Sequence, residues 1–294
     1  MITRRTLLHS SALALASPAS RWPLCIHQTT SAGSSFRQSL EGYAKAGIRH
    51  VEIIPQLLDP FAEKEGLPAA KRLLDDLGMK AVSSGSGVRG LIEPSPQYAK
   101  ALDSLKFRAG QLAALGVDRM VVPCPATGKY ALDEYKRAAD RMREMGEIVR
   151  PFRVTAMLEF MRGSTFVGCL PTSLKLVREV NHPFVKPMLD FYHFYAGLSK
   201  MEDLDRIRPG ELHHVHFQDV PDIPRELLDN STRDIPGDGV SPLVRILHAI
   251  RKARYEGPLS VELFYPRLQK GDPYEVAMEI RRKSEKVLRS AGML

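Results

Sequence analysis

Leu112-Ala-Ala-Leu-Gly-Val-Asp-Arg-Met-Val-Val-Pro123 decides the fold. A helical pattern closes at Leu115, the chain turns on Gly116, and an apolar, β-branched run follows from Arg119 to Pro123. A glycine just after a helix and a few residues before a strand is a helix C-cap that leads into the next strand. The same punctuation stands at Ala46-Gly47-Ile48 and Leu77-Gly78-Met79. Outward from these points, eight strand candidates emerge: Pro23–His27, His50–Ile54, Lys80–Ser84, Arg119–Pro123, Arg153–Glu159, Val185–Asp190, Leu212–Phe217 and Leu259–Phe264. Their starts are 27 to 47 residues apart. Each interval holds one strand and one helix, the size of a βα unit. Ser95-Pro96 and Ser241-Pro242 read as an N-cap serine before a first-turn proline. Ser199-Lys-Met-Glu202 and Asp272-Pro-Tyr-Glu275 have capping-box spacing. The last helix turns Val276, Ile280 and Val287 towards one face.

Strict alternation of strand and helix means a parallel sheet. Eight units fit a closed (β/α)8 TIM barrel of about 250 residues, so residues 21–294 are expected to form one α/β domain. An open doubly wound sheet is the alternative. Against it, the first βα turn, Thr29 to Ser35, lacks GxGxxG, and no P-loop follows any strand. Pro236-Gly-Asp-Gly239 is a turn signal, and no linker divides the body.

Composition narrows the class. Apolar residues make up 44% and charged residues 26% of the 294, which fits a soluble globule and not a disordered chain. Three cysteines without a CxxC, Cys25, Cys124 and Cys169, exclude a disulfide scaffold and a cysteine zinc finger, and read as buried thiols. Residues 1–20 contain Arg4-Arg5, then an apolar, small-residue run without an acid. This resembles a twin-arginine export signal, with exported localisation expected and a cytoplasmic location the alternative. The run is too short to span a bilayer, and no later segment is long enough. The net charge of +8 falls to +6 once Arg4 and Arg5 are set aside. With no basic run in the body, it gives slight support to an anionic substrate and none to a nucleic-acid partner.

In a barrel, chemistry sits at the C-terminal ends of the strands. Four consecutive candidates end with a polar group inside an apolar run: Met157-Leu-Glu159, Met188-Leu-Asp190, His214-Val-His216 and Ser260-Val-Glu262. Ionised carboxylates there are costly unless paired or metal-bound. Three converging carboxylates with one imidazole suit one divalent ion, Mn, Mg, Co or Zn. Asp219, three residues past His216, is expected to orient a side chain behind the metal ligands. His27 and Glu52 end the first two strands and would line the far side of the pocket. His214 shares a face with His216 one layer deeper and reads as structural. Arg162 is either a substrate contact or a surface residue.

Glu159, Asp190-x-x-His193, His216-x-x-Asp219 and Tyr255-Glu-Gly-Pro-Leu-Ser-Val-Glu262 resemble the xylose isomerase-like sugar isomerase/epimerase superfamily. The resemblance covers most of the chain after residue 22 and is strongest from 153 to 264. It implies that Glu159, Asp190, His216 and Glu262 hold one divalent metal, that Glu159 and Glu262 are the acid/base pair, and that His193 and Arg233 contact substrate. It also implies that the barrel pairs into an oligomer. Two segments depart from the epimerases: Val220–Thr232 is longer, and Phe160-Met-Arg162-Gly-Ser-Thr165 replaces the usual Glu-Pro-x-Asn-Arg.

A metal polarising a carbonyl and its neighbouring hydroxyl would stabilise an enediolate, with one glutamate removing a proton and the other returning one. Epimerisation, isomerisation and loss of a β-hydroxyl all remain open. The expected activity is isomerisation or epimerisation of a small sugar, keto-sugar or cyclitol. A dehydratase of the 3-dehydroshikimate or inosose type, acting on a carbohydrate or keto acid, is the alternative. An apurinic-endonuclease-like nuclease would need further histidines, but none lies between His50 and His182. A barrel that only binds a sugar is the non-catalytic reading.

Overall fold

The computed structural model describes residues 22–294, so residues 1–20, expected to be an export signal, lie outside the described residues. Eight parallel strands close into a barrel in sequence order. They are β1 (Leu24–His27), β2 (His50–Ile53), β3 (Lys80–Gly85), β4 (Arg119–Pro123), β5 (Thr155–Glu159), β6 (Val185–Asp190), β7 (His214–His216) and β8 (Leu259–Val261). Closure is direct: β1 pairs with β8 through Leu24↔Leu259, Cys25↔Ser260 and Ile26↔Val261. The surrounding helices are α1 (Phe36–Lys45), α2 (Pro55–Glu65), α3 (Leu67–Asp76), α4 (Tyr98–Leu115), α5 (Leu132–Val149), α6 (Leu170–Val180), α7 (Phe191–Ala196), α8 (Leu243–Lys252), α9 (Pro266–Gln269) and α10 (Pro273–Ser290). The barrel is therefore the expected one, and the open sheet is excluded by the β1–β8 pairing.

Strand alternation sorts the side chains into two cores. Ile26, Val51, Val122, Leu158, Leu189, Val215 and Val261 face outwards into the layer beneath the helices and are buried there. Val121, Met157 and Met188 form a separate apolar cluster. Met157 and Met188 precede Glu159 and Asp190 by two residues, so an apolar layer lies one step deeper along each strand than the polar strand ends.

Several boundaries differ from the expected ones for local reasons. The fifth strand starts at Thr155, because Arg153 adopts a left-handed conformation (φ 54°) that ends a 3₁₀ turn. The seventh spans only His214–His216, although Phe217 N–H still donates to Ser260 O at 2.7 Å. The eighth ends at Val261, which leaves Glu262 on the first residue beyond the ladder. The helix starts at the two Ser-Pro pairs come later than expected: α4 begins at Tyr98 and α8 at Leu243. Ser199 is not a cap. Its hydroxyl accepts the Leu170 N–H of α6, and a one-residue-later unit, Lys200 to Asp203, closes the turn. Asp272 does cap α10, accepting from Tyr274 and Glu275 N–H. Val276 and Ile280 of α10 are buried while Val287 is partly so. Cys25 and Cys124 are buried, and Cys169 is only partly so.

The capping glycines adopt the left-handed backbone their position requires: φ is 79° at Gly47, 60° at Gly78 and 75° at Gly116. A Cβ at Gly116 would meet nothing within 4 Å, whereas at Gly47 it would stand 2.4 Å from Arg281 Nη1. That Arg281 nitrogen donates to Ala46 O at 3.0 Å. Gly116→Ala should therefore carry only the backbone term, about 1–2 kcal/mol. Gly47→Ala should cost visibly more, because Arg281 must also leave its carbonyl. Paired thermal melts check this, and equal losses would show that the Arg281 contact carries no weight.

Candidate metal centre at the barrel mouth

The four strand-end residues converge. One donor atom each from Glu159, Asp190, His216 and Glu262 lies within 4.8 Å of every other, and all four residues are buried. His216 Nδ1 is the hub, 3.2 Å from Glu159 Oε1, 3.3 Å from Asp190 Oδ2 and 3.3 Å from Glu262 Oε2. One ring nitrogen carries at most one hydrogen and can satisfy one carboxylate, not three. Glu159 Oε1 is accordingly a buried oxygen without a directed hydrogen bond. Three hard oxygens and one imidazole nitrogen, mutually too close and under-satisfied, form a donor set that fits a divalent cation.

Neighbouring groups hold each member in place. Asp190 Oδ1 accepts the His193 N–H at 2.7 Å, which makes Asp190 the N-cap of α7. Its Oδ2 accepts from Gln218 Nε2 at 2.7 Å and Arg233 Nη1 at 3.0 Å. Arg233 Nη1 also donates to Glu262, and the guanidinium lies between the Tyr192 and Phe264 rings, 4.8 and 4.9 Å from their centroids. Burial pushes the Glu262 carboxyl up, but Arg233, His216 and His27 outweigh it and hold it down to about 2. Glu159 lacks the arginine, and burial pushes it up to about 7. Asp190 is opposed by burial yet held well below the usual range by Arg233, His193 and His216. His216, despite burial, is raised by the carboxylates around it.

His193 is kept neutral: burial brings it down to about 4, against the pull of Asp190. Its Nδ1 lies 3.1 Å from the Arg162 backbone N–H and its Nε2 lies 3.0 Å from Arg233 Nη2, both of them donors. A neutral imidazole has one lone pair, so it accepts from one of the two and turns its own N–H to the other side of the ring. His27 is arranged differently. Its Nδ1 accepts Thr29 N–H at 3.2 Å, and Nε2 faces Glu262 Oε1 at 3.6 Å and Glu52 Oε1 at 3.8 Å. His214 lies deeper, with Nε2 2.8 Å from Glu52 Oε2.

Two expected side chains are elsewhere. The Arg162 side chain does not reach the cluster; it donates to the carbonyls of Ala196, Arg225 and Leu228. It thereby staples the long Val220–Thr232 segment onto α7, where Tyr192, Ala196, Val220 and Leu228 share a small core. Asp219 acts on backbone, not on a ligand side chain. It accepts N–H groups from Val220 (2.9 Å), Gly237 (3.0 Å) and Ser241 (2.9 Å). Gly239 is required here, since a Cβ would stand 2.2 Å from Val220 O. The group that does act behind Asp190 is Gln218, two residues past His216 and so on the same strand face. That alternation was the available signal for it. Ser83, which donates to Glu52 Oε1 at 3.1 Å, had none.

Comparison with known proteins places these residues in a context. The family described as xylose isomerase-like TIM barrel matches residues 40–284. An inosose isomerase of Halalkalibacterium halodurans is 27% identical over 248 residues, 83% of this chain and 88% of that protein. A 3-dehydroshikimate dehydratase of Pseudomonas putida is 27% identical over 250 residues, 80% of this chain but 37% of that protein. Among solved structures, an IolI protein with a bound zinc atom superposes with a TM-score of 0.85 at 23% identity, covering 92% of this chain and 99% of that one.

A cation-binding cluster makes stability depend on the cation. At a divalent concentration of 100 times the dissociation constant, the wild type should gain about 2.7 kcal/mol, read as a rise in Tm. Asp190→Asn should lose that rise while keeping its circular dichroism spectrum. An equal rise in the variant would show that the ion binds elsewhere.

Proposed function

The chain belongs to the xylose isomerase-like TIM barrel family, and from that membership and the mouth geometry we propose that it is a divalent-metal-dependent isomerase of a small polyhydroxylated cyclic ketone. The observation that carries this reading is the convergence of Glu159, Asp190, His216 and Glu262 on one point, all four buried. A cation held by these four would supply Lewis acidity towards a substrate carbonyl. The residues of the chain do the remaining work. Glu159 and Glu262 are positioned to take a proton from the carbon beside the carbonyl and to return it at a neighbouring one. His193 and the Arg233 guanidinium stand in contact beside the cluster, where a substrate hydroxyl or carbonyl oxygen can accept from the guanidinium. The His27 Nε2–H beside Glu262 offers a second donor on the opposite wall.

The similarity to inosose isomerases supports a cyclitol-type ketone as substrate. The similarity to 3-dehydroshikimate dehydratases supports a second reading, in which the same proton abstraction is followed by loss of a β-hydroxyl. The metal is left open among Mn, Mg, Co and Zn; the zinc in the IolI structure supports zinc as one choice. No helix among the described residues is long and apolar enough to cross a membrane. For residues 1–20 we propose export through the twin-arginine route, supported by Arg4-Arg5 and the acid-free apolar run after it.

Incubation of the metal-loaded protein with inososes and with 3-dehydroshikimate in deuterated water tests the activity. Isomerisation should place deuterium beside the carbonyl at unchanged composition, whereas dehydration should give a product lighter by one water. Glu159→Gln and Glu262→Gln should each lower turnover by about 10²–10⁴-fold when assayed at divalent-ion concentrations that saturate the variant. No exchange with any candidate would remove the enediol chemistry. Fusion of residues 1–20 to a reporter should direct export that Arg4→Lys with Arg5→Lys abolishes; export of both forms alike would exclude the twin-arginine route.

A further inference from the structure

Glu52 is a fourth carboxylate at the mouth that the proposed chemistry does not use. It is fully buried at the end of β2. Its Oε2 lies 2.8 Å from His214 Nε2 and 3.2 Å from His216 Nε2, and its Oε1 accepts from Ser83 Oγ at 3.1 Å. An ionised carboxylate only accepts hydrogen bonds, so both ring nitrogens that face it are N–H donors. A cation between the four residues would replace the proton on Nδ1; with the other proton held on Nε2 by Glu52, His216 then presents its lone pair at Nδ1, the atom at 3.2–3.3 Å from Glu159, Asp190 and Glu262. The ring is also wedged edge-on between two others: His214 at 83° and 5.3 Å, His27 at 80° and 5.6 Å. Exchange of its two nitrogens by a ring flip is therefore obstructed.

We propose that Glu52 is a positioning residue that fixes the His216 tautomer and so presents Nδ1 to the cation. The proposal rests on the reading that the four-residue cluster holds a cation. An alternative use of the same atoms, a second ion between His27, Glu52 and His216, fits less well. Both Glu52 oxygens are already engaged by imidazole and hydroxyl donors, and His27 has committed Nδ1 to the Thr29 amide. Both rings bond the same oxygen, Oε2, so a glutamine could keep its one oxygen there and turn its amide to the Ser83 hydroxyl. A leucine removes the acceptor altogether and leaves nothing to hold the His216 proton on Nε2.

The test uses zinc as probe on the full chain. Glu52→Leu should weaken zinc binding by about 10–100-fold in competition with a chromophoric chelator, the usual effect of losing a group that orients a ligand. Glu52→Asp, which keeps the charge one methylene back, should recover part of the loss. Long-range ¹H–¹⁵N correlation on zinc-loaded wild type should show His216 metal-bound at Nδ1 and protonated at Nε2, and this reading does not depend on either variant folding. Wild-type affinity in Glu52→Leu, or zinc on Nε2, would overturn the proposal. A wild type that binds no zinc would overturn the cation reading, and this proposal with it.

Discussion

The whole mouth of the barrel answers to one constraint: three carboxylates held within 4.8 Å of a single imidazole nitrogen in a buried place. Two unit charges at such a separation repel by roughly 3–4 kcal/mol even at an effective dielectric of 20. Nothing in the strands relieves this, because parallel pairing fixes each donor at its register, as with Asp190 opposite His216. The relief comes from positive charge brought to a fixed point. Arg233 provides one such charge, and the space between the four donors suits a divalent ion as the other.

The fixed placement of Arg233 explains features that look unrelated. Its guanidinium is clamped between Tyr192 and Phe264, and the residue follows directly on a segment stapled to α7 by Arg162. On its other side, Asp219 and Asp234 form a small antiparallel bridge, and Asp219 gathers the turn amides. The long Val220–Thr232 segment is therefore an arm that delivers Arg233 to Asp190 and Glu262. Both ends of that arm are tied to the barrel.

The barrel and its four converging residues were legible in the sequence because their signals are local. Alternation along a strand and glycine after a helix depend on neighbours in the chain, and equivalence of strand ends then puts Glu159, Asp190, His216 and Glu262 at one level. What was not legible depends on partners distant in sequence. Glu52 and His214 are 162 residues apart, and Ser83 has no pattern that marks it as their third partner. Arg162 sits just beyond a strand and was equally suited to substrate or solvent; its real partners are three carbonyls from later segments. Asp219 follows the metal-ligand spacing, yet Gln218 is the residue whose side chain shares the inner face with His216. One position along a strand exchanged their roles.

The same geometry bears on how a four-ligand site could support either isomerisation or dehydration. Both begin by removing a proton beside a polarised carbonyl, a step for which Glu159, free of the arginine, and Glu262, paired with Arg233, are unequally placed. They part at the next step. Isomerisation returns a proton to the former carbonyl carbon, while the hydroxyl proton passes to the former carbonyl oxygen, and nothing leaves. Dehydration needs a donor at the departing β-hydroxyl, further from the ligands. Two imidazoles stand near enough to serve: His27, whose Nδ1 accepts the Thr29 amide, and His193, which lies between the Arg162 amide and Arg233. They stand on different walls, His27 beside Glu262 and His193 beside Arg233. Which outcome follows therefore depends on which wall receives the leaving oxygen, a property of the loops that hold the imidazoles and not of the metal ligands.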